Sequence, residues 1–272
     1  MQDRIVLVTG ASSGIGRAAA ELLLRSGYTV YAAARRMDKL RELEPLGAKI
    51  LFLDVADEAS AGNAVEAVLR AEGRIDVLVN NAGYGAHGAI EDVPMAEARR
   101  QFEVNLFGLA RLTQLVLPAM RRRGCGRIIN ISSIAGKITT PLGGWYHASK
   151  HALEAYSDAL RLETGQFGIK VVLIEPGPVK TEWDNTALVN LDKYSGSGVY
   201  GPLVRRLTGR FRAGYRAGAP GPEVVAAVIL RALRSRCPSA RYAVSFHAKA
   251  ILFIKWLLPD RLLDAAINFL LK

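Results

Sequence analysis

The feature that most constrains the fold lies near the N-terminus, where a short apolar run meets a glycine-rich turn. Residues 5–9 (I-V-L-V-T) are typical of a buried strand. Gly10, Gly14 and Gly16 follow in the spacing G-x-x-x-G-x-G, and a helical pattern begins at Arg17. A strand, a glycine turn and a helix N-terminus together direct backbone N–H groups at one point, which favours phosphate binding. The spacing differs from G-x-G-x-x-G, so a purely structural turn is an alternative.

Apolar runs and helical patterns alternate along most of the remaining chain. We predict further strands at 28–34, 50–55, 75–80, 127–131 and 170–175. We predict helices at 17–26, 59–71, 91–120, 146–167 and 223–234. Strands that alternate with helices form βαβ units. The expected fold class is therefore α/β, with a Rossmann-type doubly wound parallel sheet and helices on both faces.

The 272 residues show no internal repeat and no linker, so we predict one domain over 1–272. Its parts would be a cofactor-binding and catalytic core (1–181), a substrate lid (182–222), and C-terminal helices with a tail (223–272). The lid is expected as a long glycine-rich loop, because loops of this length in compact domains usually cover binding sites. From 193 to 222 it contains six basic residues and no acidic residue.

Composition narrows the class of protein without choosing a partner. Half of the residues are apolar and the formal net charge is +11, so the chain can bury a core and attract anionic partners. Cys125 and Cys237 are too few for a disulfide framework. No metal site is predicted, because His147 and His151 lack further ligands and are expected on a helix surface. With no signal peptide and no run of 18 apolar residues in view, we expect a cytoplasmic protein.

A second polar pattern follows the predicted strand at 127–131. Ser133 would lie at the C-terminal end of that strand, the edge where ligands bind in open α/β sheets. Tyr146 and Lys150 are four residues apart and would share one face of a helix. A lysine cation favours the phenolate and lowers the pKa of tyrosine from about 10, which suits acid/base catalysis. Alone, this spacing is also common on solvated helix faces.

The end of the second strand indicates which dinucleotide would bind. In dinucleotide-binding folds an acidic residue there binds the free ribose 2′-hydroxyl, whereas arginine accommodates a 2′-phosphate. In this chain Ala34 is followed by Arg35 and Arg36. The pattern favours NADP over NAD, with a solvated basic turn as the alternative.

Together these motifs resemble the short-chain dehydrogenase/reductase family over residues 3–181, about two thirds of the chain. The resemblance rests on T-G-A-S-S-G-I-G, Asp54, N-N-A-G at 80–83, Asn105, Ser133, Y-x-x-x-K and P-G-P-V-K-T at 176–181. The chain is similar, more narrowly, to the branch that contains 17β-hydroxysteroid and retinol dehydrogenases. The tail motif L-L-P-D-R-L-L-D contributes to that narrower likeness.

The resemblance implies a role for each of these positions. Tyr146 would exchange a proton with the substrate oxygen, Lys150 would lower the tyrosine pKa and bind the nicotinamide ribose, and Ser133 would hydrogen-bond the substrate oxygen. Asn105 would hold a water that links Lys150 to a proton relay, unless its amide serves the local helix backbone. Contacts to NADP (NADPH) would come from Gly10, Ser12, Ser13, Gly14, Ile15, Gly16, Arg35, Arg36, Asp54, Val55, Asn81, Ala82, Gly83, Tyr146, Lys150, Pro176, Gly177, Val179 and Thr181.

These expectations favour an NADP-dependent oxidoreductase that interconverts a ketone or aldehyde and an alcohol. The residues before Tyr146, L-G-G-W, combine small and aromatic side chains that suit an apolar substrate such as a steroid, a retinoid or an acyl chain. One alternative is a 3-oxoacyl thioester reductase, whose basic lid would meet phosphates of coenzyme A or an acidic carrier protein. Another is a non-catalytic NADP sensor or nucleic-acid binder. The intact proton donor argues against the latter, so no nucleic-acid partner is predicted. Family resemblance further implies a homodimer or homotetramer through the helices near Asn105 and Tyr146.

The tail, residues 249–272, is strongly apolar but interrupted by Lys255 and by P-D-R at 259–261. Its last part should form an amphipathic helix whose apolar stripe contains Leu262, Leu263, Ala266, Ile267, Leu270 and Leu271. One placement packs the tail over the substrate cleft and a neighbouring subunit. The other lays it on a membrane, with basic residues against anionic lipid. The narrow stripe favours packing, and peripheral membrane contact is the alternative.

Overall fold

The predicted apolar runs form one parallel sheet in the computed structural model, which describes residues 4–216 and 218–271. Its strands within that part are β1 (Ile5–Thr9), β2 (Thr29–Ala34), β3 (Lys49–Phe52), β4 (Val77–Asn80), β5 (Gly126–Ile131), β6 (Ile169–Pro176) and β7 (Arg241–Val244). The strand order is β3-β2-β1-β4-β5-β6-β7, and every neighbouring pair is parallel. The predicted fold class is confirmed, and the order reverses between β1 and β4, where open α/β sheets bind ligands.

The helices connect these strands and cover both faces of the sheet. Their bounds are α1 (Gly14–Arg25), α2 (Met37–Arg41), α3 (Glu58–Glu72), α4 (Met95–Phe102), α5 (Gly108–Arg122), α6 (Gly144–Thr164), α7 (Glu182–Ser195), α8 (Gly201–Arg216), α9 (Glu223–Arg234), α10 (Phe246–Leu257) and α11 (Asp260–Leu271). Short 3₁₀ turns lie at 44–46, 134–136 and 165–167. Of the side chains at 183–185, 211–217 and 270–272 nothing is described.

Alternate residues of the strands build two cores. Val6 and Val8 of β1 face α1 and α9, whereas Ile5 and Leu7 face α3 and α5. All four side chains are nearly inaccessible to solvent. Each such aliphatic side chain contributes about 1.5–3 kcal/mol by burial. Because both faces are covered, the C-terminal edge of the sheet is left as the place for a site.

The helix predicted over 91–120 is interrupted in the structure. Pro94 precedes the first turn of α4, so the helix begins at Met95 rather than at residue 91. A π-helical turn over Glu103–Phe107 then separates α4 from α5. Gly108 follows the turn, and a Cβ at that position would lie 2.2 Å from the carbonyl oxygen of Val55. The spacing of the side chains predicts a helix here, but it does not predict the π turn, in which the helix is locally wider.

The segment 182–222 differs most from its prediction. The expected glycine-rich loop contains the helices α7 and α8, joined at residues 196–200. Leu191 of α7 and Leu207 of α8 are buried with Ala89 and Leu142 in a small apolar cluster. The prediction of a loop was wrong because burial of a few apolar residues outweighs the low helix propensity of the glycines around them.

The C-terminal part adds a strand and two helices. The edge strand β7 pairs with β6 and was not predicted. Ala248 of α10 is buried, and the Cβ of Ala248 would lie 3.5 Å from a Cβ added at Gly177. Helix α11 contacts α8, while Phe253 and Trp256 of α10 are exposed. Leu270 and Leu271 belong to the apolar stripe predicted for the last helix, and their side chains lie outside the part that the structure describes. Over the residues that the structure covers, no helix is both long and apolar enough to cross a membrane.

Candidate active site

The carboxyl ends of the central strands open into a cavity of about 680 Å³. Most of the residues singled out in the sequence line it: Gly10, Ser12, Ser13, Gly14, Ile15, Arg35, Arg36, Asp54, Val55, Asn81, Ala82, Gly83, Ser133, Tyr146, Lys150, Pro176, Gly177, Val179 and Thr181. Gly16 and Asn105 are buried behind this lining. The fold thus brings the glycine turn, the strand-end arginines and the Y-x-x-x-K pair to one place.

The glycine turn depends on close backbone contacts that leave no space for side chains. Gly10 has a φ of +65°, and a Cβ there would lie 2.9 Å from Cα of Ala82. A Cβ at Gly16 would lie 2.4 Å from the Gly10 carbonyl oxygen and 2.4 Å from Asn81 Nδ2. Asn81 Nδ2 donates to the carbonyl oxygens of Thr9 (3.0 Å) and Gly10 (3.3 Å). These contacts fasten the turn to β4 and keep its open side toward the cavity.

The first turn of α1 presents backbone donors to this cavity. Ser13 is the N-cap residue in an extended conformation, and its side chain makes no capping hydrogen bond. The first turn contains no acidic residue, and Gly14 and Ile15 line the cavity. A helix N-terminus with open N–H groups and a positive dipole end is suited to a phosphate group. The turn therefore fits the pyrophosphate of a dinucleotide.

Arg36 lies across the same turn. Its guanidinium donates to Ser12 Oγ at 3.2 Å and to Ser13 Oγ at 2.6 Å. Its Nη1 is 2.9 Å from Glu182 Oε2, at the start of α7. This arginine lowers the pKa of Glu182. A cation held above the turn fits a 2′-phosphate, and Glu182 is a competing anion that sequence reasoning did not identify.

Arg35 occupies a different position from Arg36. Its Nη1 is 3.9 Å from Asp54 Oδ2, and its side chain is two-thirds exposed. Arg100 of α4 is 3.3 Å from the same carboxylate oxygen and also lines the cavity. Asp54 in addition accepts from the backbone N–H of Ala56 at 3.0 Å. Two arginines thus meet one carboxylate at this end of the cavity, and Arg100 had no signal in the sequence that pointed to it.

Tyr146 and Lys150 lie one turn apart on α6 and are both buried. Lys150 Nζ is 5.9 Å from the centre of the Tyr146 ring and donates to the Ile131 carbonyl oxygen at 2.8 Å. Burial lowers the pKa of Lys150 to about 8, with a smaller opposing effect from Glu154. An amine with such a pKa can hold or release a proton close to neutral pH.

Ser133 and Asn105 hold the backbone around this pair. Ser133 Oγ accepts from the N–H of Ala135 (3.1 Å) and donates to the Pro176 carbonyl oxygen (3.3 Å). The Asn105 side chain accepts from the N–H of Tyr84 at 3.0 Å and donates to the carbonyl oxygen of Tyr84 at 2.9 Å. Asn105 Nδ2 is also 3.1 Å from Ser149 Oγ on α6. The π turn thus ties the loop after β4 to the helix of Tyr146, and the proposed water at Asn105 stays a prediction.

Two histidines adjoin the tyrosine. The ring of His87 is 5.5 Å from that of Tyr146 and lines the cavity, and burial lowers the pKa of His87 to about 4. His147 was expected on a helix surface, but it is buried, with Nδ1 3.1 Å from the Ala135 carbonyl oxygen. Its Nε2 accepts from the N–H of Thr140 at 3.3 Å, so Nδ1 carries the proton. His147 therefore shapes the loop between Ser133 and Tyr146.

A buried pair of carboxyl groups, Glu154 on α6 and Glu175 on β6, lies away from the lining of the cavity. Glu154 Oε2 is 2.9 Å from Lys137 Nζ and 3.0 Å from Arg241 Nε. Glu175 Oε1 is 3.5 Å from the same Arg241 nitrogen, too far for a strong hydrogen bond. Burial, and next the charge of Glu154, raise the pKa of Glu175 to about 7. Glu175 therefore titrates close to neutral pH, well above the usual range of a carboxyl group.

Comparison with known proteins agrees with this geometry. The family model for short chain dehydrogenase matches residues 4–190. An NADPH-dependent 3-dehydrocapnine reductase of Ornithobacterium rhinotracheale is 38% identical over 270 residues, covering 96% of this chain and 95% of that protein. A 3-ketodihydrosphingosine reductase of Bacteroides thetaiotaomicron is 44% identical over 182 residues, covering 66% of each protein.

Solved structures share the fold. A serine dehydrogenase complexed with NADP⁺ matches with a TM-score of 0.77 at 29% identity, over 88% of this chain and 94% of that one. A short chain dehydrogenase/reductase of Burkholderia phymatum, complexed with NAD, matches with a TM-score of 0.79 at 25% identity, over 92% of each chain. The narrower likeness to the hydroxysteroid and retinol branch stays a prediction. The matched sequence, the sheet order and the cavity lead to one conclusion: the chain belongs to the short-chain dehydrogenase/reductase family of oxidoreductases, whose fold binds a nicotinamide cofactor.

Proposed function

We propose that the protein is an NADP-dependent oxidoreductase that reduces a ketone on a long-chain, lipid-like substrate to the alcohol. The observation that carries this proposal is the shared cavity, into which Arg36, Ser133, Tyr146 and Lys150 all face. A phosphate site alone would suit many nucleotide-binding proteins. A phosphate site that shares its cavity with a buried tyrosine, a lysine and a serine supports proton transfer to a carbonyl oxygen.

The chain has a group for each part of the cofactor. The open turn of α1 would bind the pyrophosphate, and Arg36, with Arg35, would bind the 2′-phosphate. Asp54 and Val55 would adjoin the adenine, and Pro176 to Thr181 would adjoin the nicotinamide. When bound, the nicotinamide ring supplies hydride to the substrate carbon.

The protein itself would manage the proton. Tyr146 would donate its phenolic proton to the carbonyl oxygen, while Ser133 turns its hydroxyl from the Pro176 carbonyl oxygen toward the same atom. Lys150 would lower the pKa of the tyrosine. Its ammonium group, with a pKa of about 8, would then return a proton to the phenolate left on Tyr146. Asn105 would hold a water on the path from Lys150 to solvent.

Two findings support a long apolar substrate. The cavity lining contains the apolar side chains of Ile134, Ile138 and Val179. His87 beside Tyr146 is in addition mainly neutral at pH 7, because burial lowers its pKa to about 4. The two relatives named above are reductases of 3-dehydrocapnine and of 3-ketodihydrosphingosine. A carbonyl at the third position of a long-chain lipid base is therefore the substrate class that we would test first.

The test is the oxidation of NADPH, followed by its absorbance, with a panel of carbonyl compounds. The panel contains 3-ketodihydrosphingosine, a steroid ketone, retinal and a 3-oxoacyl thioester, with NADH in parallel. We expect turnover with the long-chain ketone and NADPH, and at least a hundredfold less with Tyr146→Phe. Turnover of the steroid or retinal alone would contradict the substrate class. Binding of NADPH without turnover of any compound would favour a non-catalytic sensor.

A 3-oxoacyl thioester reductase is a second candidate, because Arg205, Arg206 and Arg210 are exposed on α8. This helix contacts α7, whose first turns line the cavity. These cations would meet the phosphates of coenzyme A or an acidic carrier protein. The same panel distinguishes this candidate. A thioester preference that disappears in an Arg205→Ala/Arg206→Ala variant, while turnover of the long-chain ketone persists, would support it.

We further propose that the protein forms a homodimer or homotetramer through α4, α5 and α6. A second cavity of about 270 Å³ on this face is lined by Met95, Phe102, Phe107 and Trp145, and Met95 and Phe107 are half exposed. A second copy of the chain would bury these side chains. Light scattering of Phe107→Asp should then show smaller particles than the wild type, whereas an unchanged mass would contradict this interface.

A further inference from the structure

The two C-terminal helices expose an apolar face that the rest of the chain leaves uncovered. Phe246 (82%), Trp256 (78%) and Phe269 (77%) are almost as exposed as in an extended chain. Further large apolar side chains exposed on α10 and α11 are Phe253, Ile254, Leu257 and Leu262. We call these seven side chains the tail face. Scattered single apolar residues are normal on a protein surface, but seven within 24 residues indicate a binding surface.

The tail face is the outward side of helices whose other side is packed. Ala248 of α10 is buried, Leu263, Ala266 and Ile267 of α11 are partly buried, and α11 contacts α8. Lys255 on α10 and Asp260 on α11 form a 2.6 Å ion pair across the two residues that join the helices. Both helices therefore have their inward side occupied, and the tail face is available to something outside the described chain.

The net charge of the protein is concentrated in the same part of the chain. Residues 193–272 contain 14 basic and 3 acidic residues, whereas the whole chain has 36 and 25. This last segment thus carries the entire formal net charge of +11, and residues 1–192 are neutral. Among its cations, Arg205, Arg206 and Arg210 are exposed on α8, the helix against which α11 packs. The partner of the tail face is therefore expected to be anionic.

This charge distribution argues against a second copy of the chain. A two-fold symmetric interface brings the same surface of each subunit together. Pairing two tail faces would place one cationic segment against another, and like charges across an interface are unfavourable. Interfacial helices, by contrast, combine exposed aromatic and aliphatic residues with basic neighbours, as this segment does. The narrow apolar stripe had favoured packing of the whole tail against the protein. In the structure, such packing accounts only for the inward side of these helices.

We propose that the tail face docks the protein on the surface of an anionic phospholipid bilayer. The apolar side chains of α10 and α11 enter the boundary between headgroups and acyl chains, and the arginines of α8 meet lipid phosphates. Docking in this way would hold the helices beside the cleft against the membrane in which an apolar substrate dissolves. The proposal concerns attachment, and it does not depend on the identity of the substrate.

The test is co-sedimentation of the full chain with vesicles of phosphatidylcholine, with or without phosphatidylglycerol. We expect binding to the anionic vesicles, weakened by added salt, and at least about tenfold weaker partitioning for Phe253→Ser/Trp256→Ser. The matched control is Phe52→Ser/Leu162→Ser, which changes two exposed apolar residues on β3 and α6. This control should bind the vesicles as the wild type does. Because all four side chains are exposed, circular dichroism should show both variants folded.

Three outcomes would overturn the proposal. Binding that is equal for neutral and anionic vesicles would remove the role of the charge. Equal loss in the tail and control variants would show that the tail face is not special. A fall in molecular mass of Phe253→Ser/Trp256→Ser in light scattering, with no vesicle binding by the wild type, would make this face a subunit interface instead.

Discussion

Replacement of Glu175 by glutamine tests whether a carboxyl group is kept protonated inside the folded protein. Glu175 is 3% exposed, and its side chain lies 3.5 Å from Arg241, while Arg241 is 3.0 Å from Glu154. The cation of Arg241 thus lies nearer to Glu154 than to Glu175. Burial raises the pKa of Glu175 from 4.5 to about 7. Glutamine has the same shape and no charge, and it resembles the protonated form of the side chain.

The size and sign of the effect follow from this difference in pKa. Between pH 4.5 and 7 the folded state holds a proton that the unfolded chain has released, so stability falls as the pH rises through this range. A change from 4.5 to about 7 corresponds to roughly 3 kcal/mol, all of it lost by about pH 8. The Gln variant has no such group. It should therefore gain on the wild type as the pH rises and be the more stable of the two above pH 7.

The assay is urea-induced unfolding of both proteins from about pH 3 to pH 8, because the difference between them cancels the other titrating groups. Glu72→Gln provides a control of opposite sign. Its carboxylate is hydrogen-bonded to Lys49 and Tyr31, which lowers the pKa of Glu72, so the wild type should gain on this variant as the pH rises through the acid range. A difference between wild type and Glu175→Gln that does not change with pH would refute the reasoning, and so would a change of the opposite sign.

Three further predictions concern the site. Tyr146→Phe should lower turnover by about 10²–10⁴-fold with an unchanged circular dichroism spectrum, and near-normal turnover would exclude the proposed proton donor. Arg36→Ala should weaken NADPH binding by about tenfold or more and leave NADH binding nearly unchanged. Glu182→Gln should tighten NADPH binding up to about fivefold, because it releases Arg36 from its ion pair. Fluorescence titration would measure both variants, and equal effects on the two cofactors would contradict the assignment of Arg36 to the 2′-phosphate. Asn105→Ala should cost about 1–3 kcal/mol in unfolding free energy, because the N–H and carbonyl groups of Tyr84 lose their partners, and an unchanged unfolding midpoint would contradict this role.

Local patterns determined most of what could be predicted. The strands that are buried on both faces appear as short apolar runs, and the turn at Gly10 must lie between one such run and a helix. The cavity residues on those strand ends were predictable for the same reason, because the C-terminal ends of parallel strands meet at one edge.

Features that depend on distant partners were not predictable. Helices α7 and α8 form because Leu191 and Leu207 pack with Ala89, a residue about a hundred positions earlier. Strand β7 has four residues, and its pairing with β6 defines it. His147 has the spacing of a surface residue, and its burial follows from the path of the loop at 135–140. In each case tertiary packing outweighs the local signal.

The π turn over Glu103–Phe107 has a consequence for how the length of the chain can change. One residue corresponds to about 100° of rotation in a helix. A deletion within this turn would restore regular α-helix and rotate α5 relative to α4, carrying Leu112, Val116 and Met120 away from the sheet that buries them. An exposed loop absorbs a gain or loss of one residue locally, whereas here the change would be transmitted along 15 residues of α5. Homologous chains should therefore vary in length elsewhere and keep the number of residues between Pro94 and Gly108 constant.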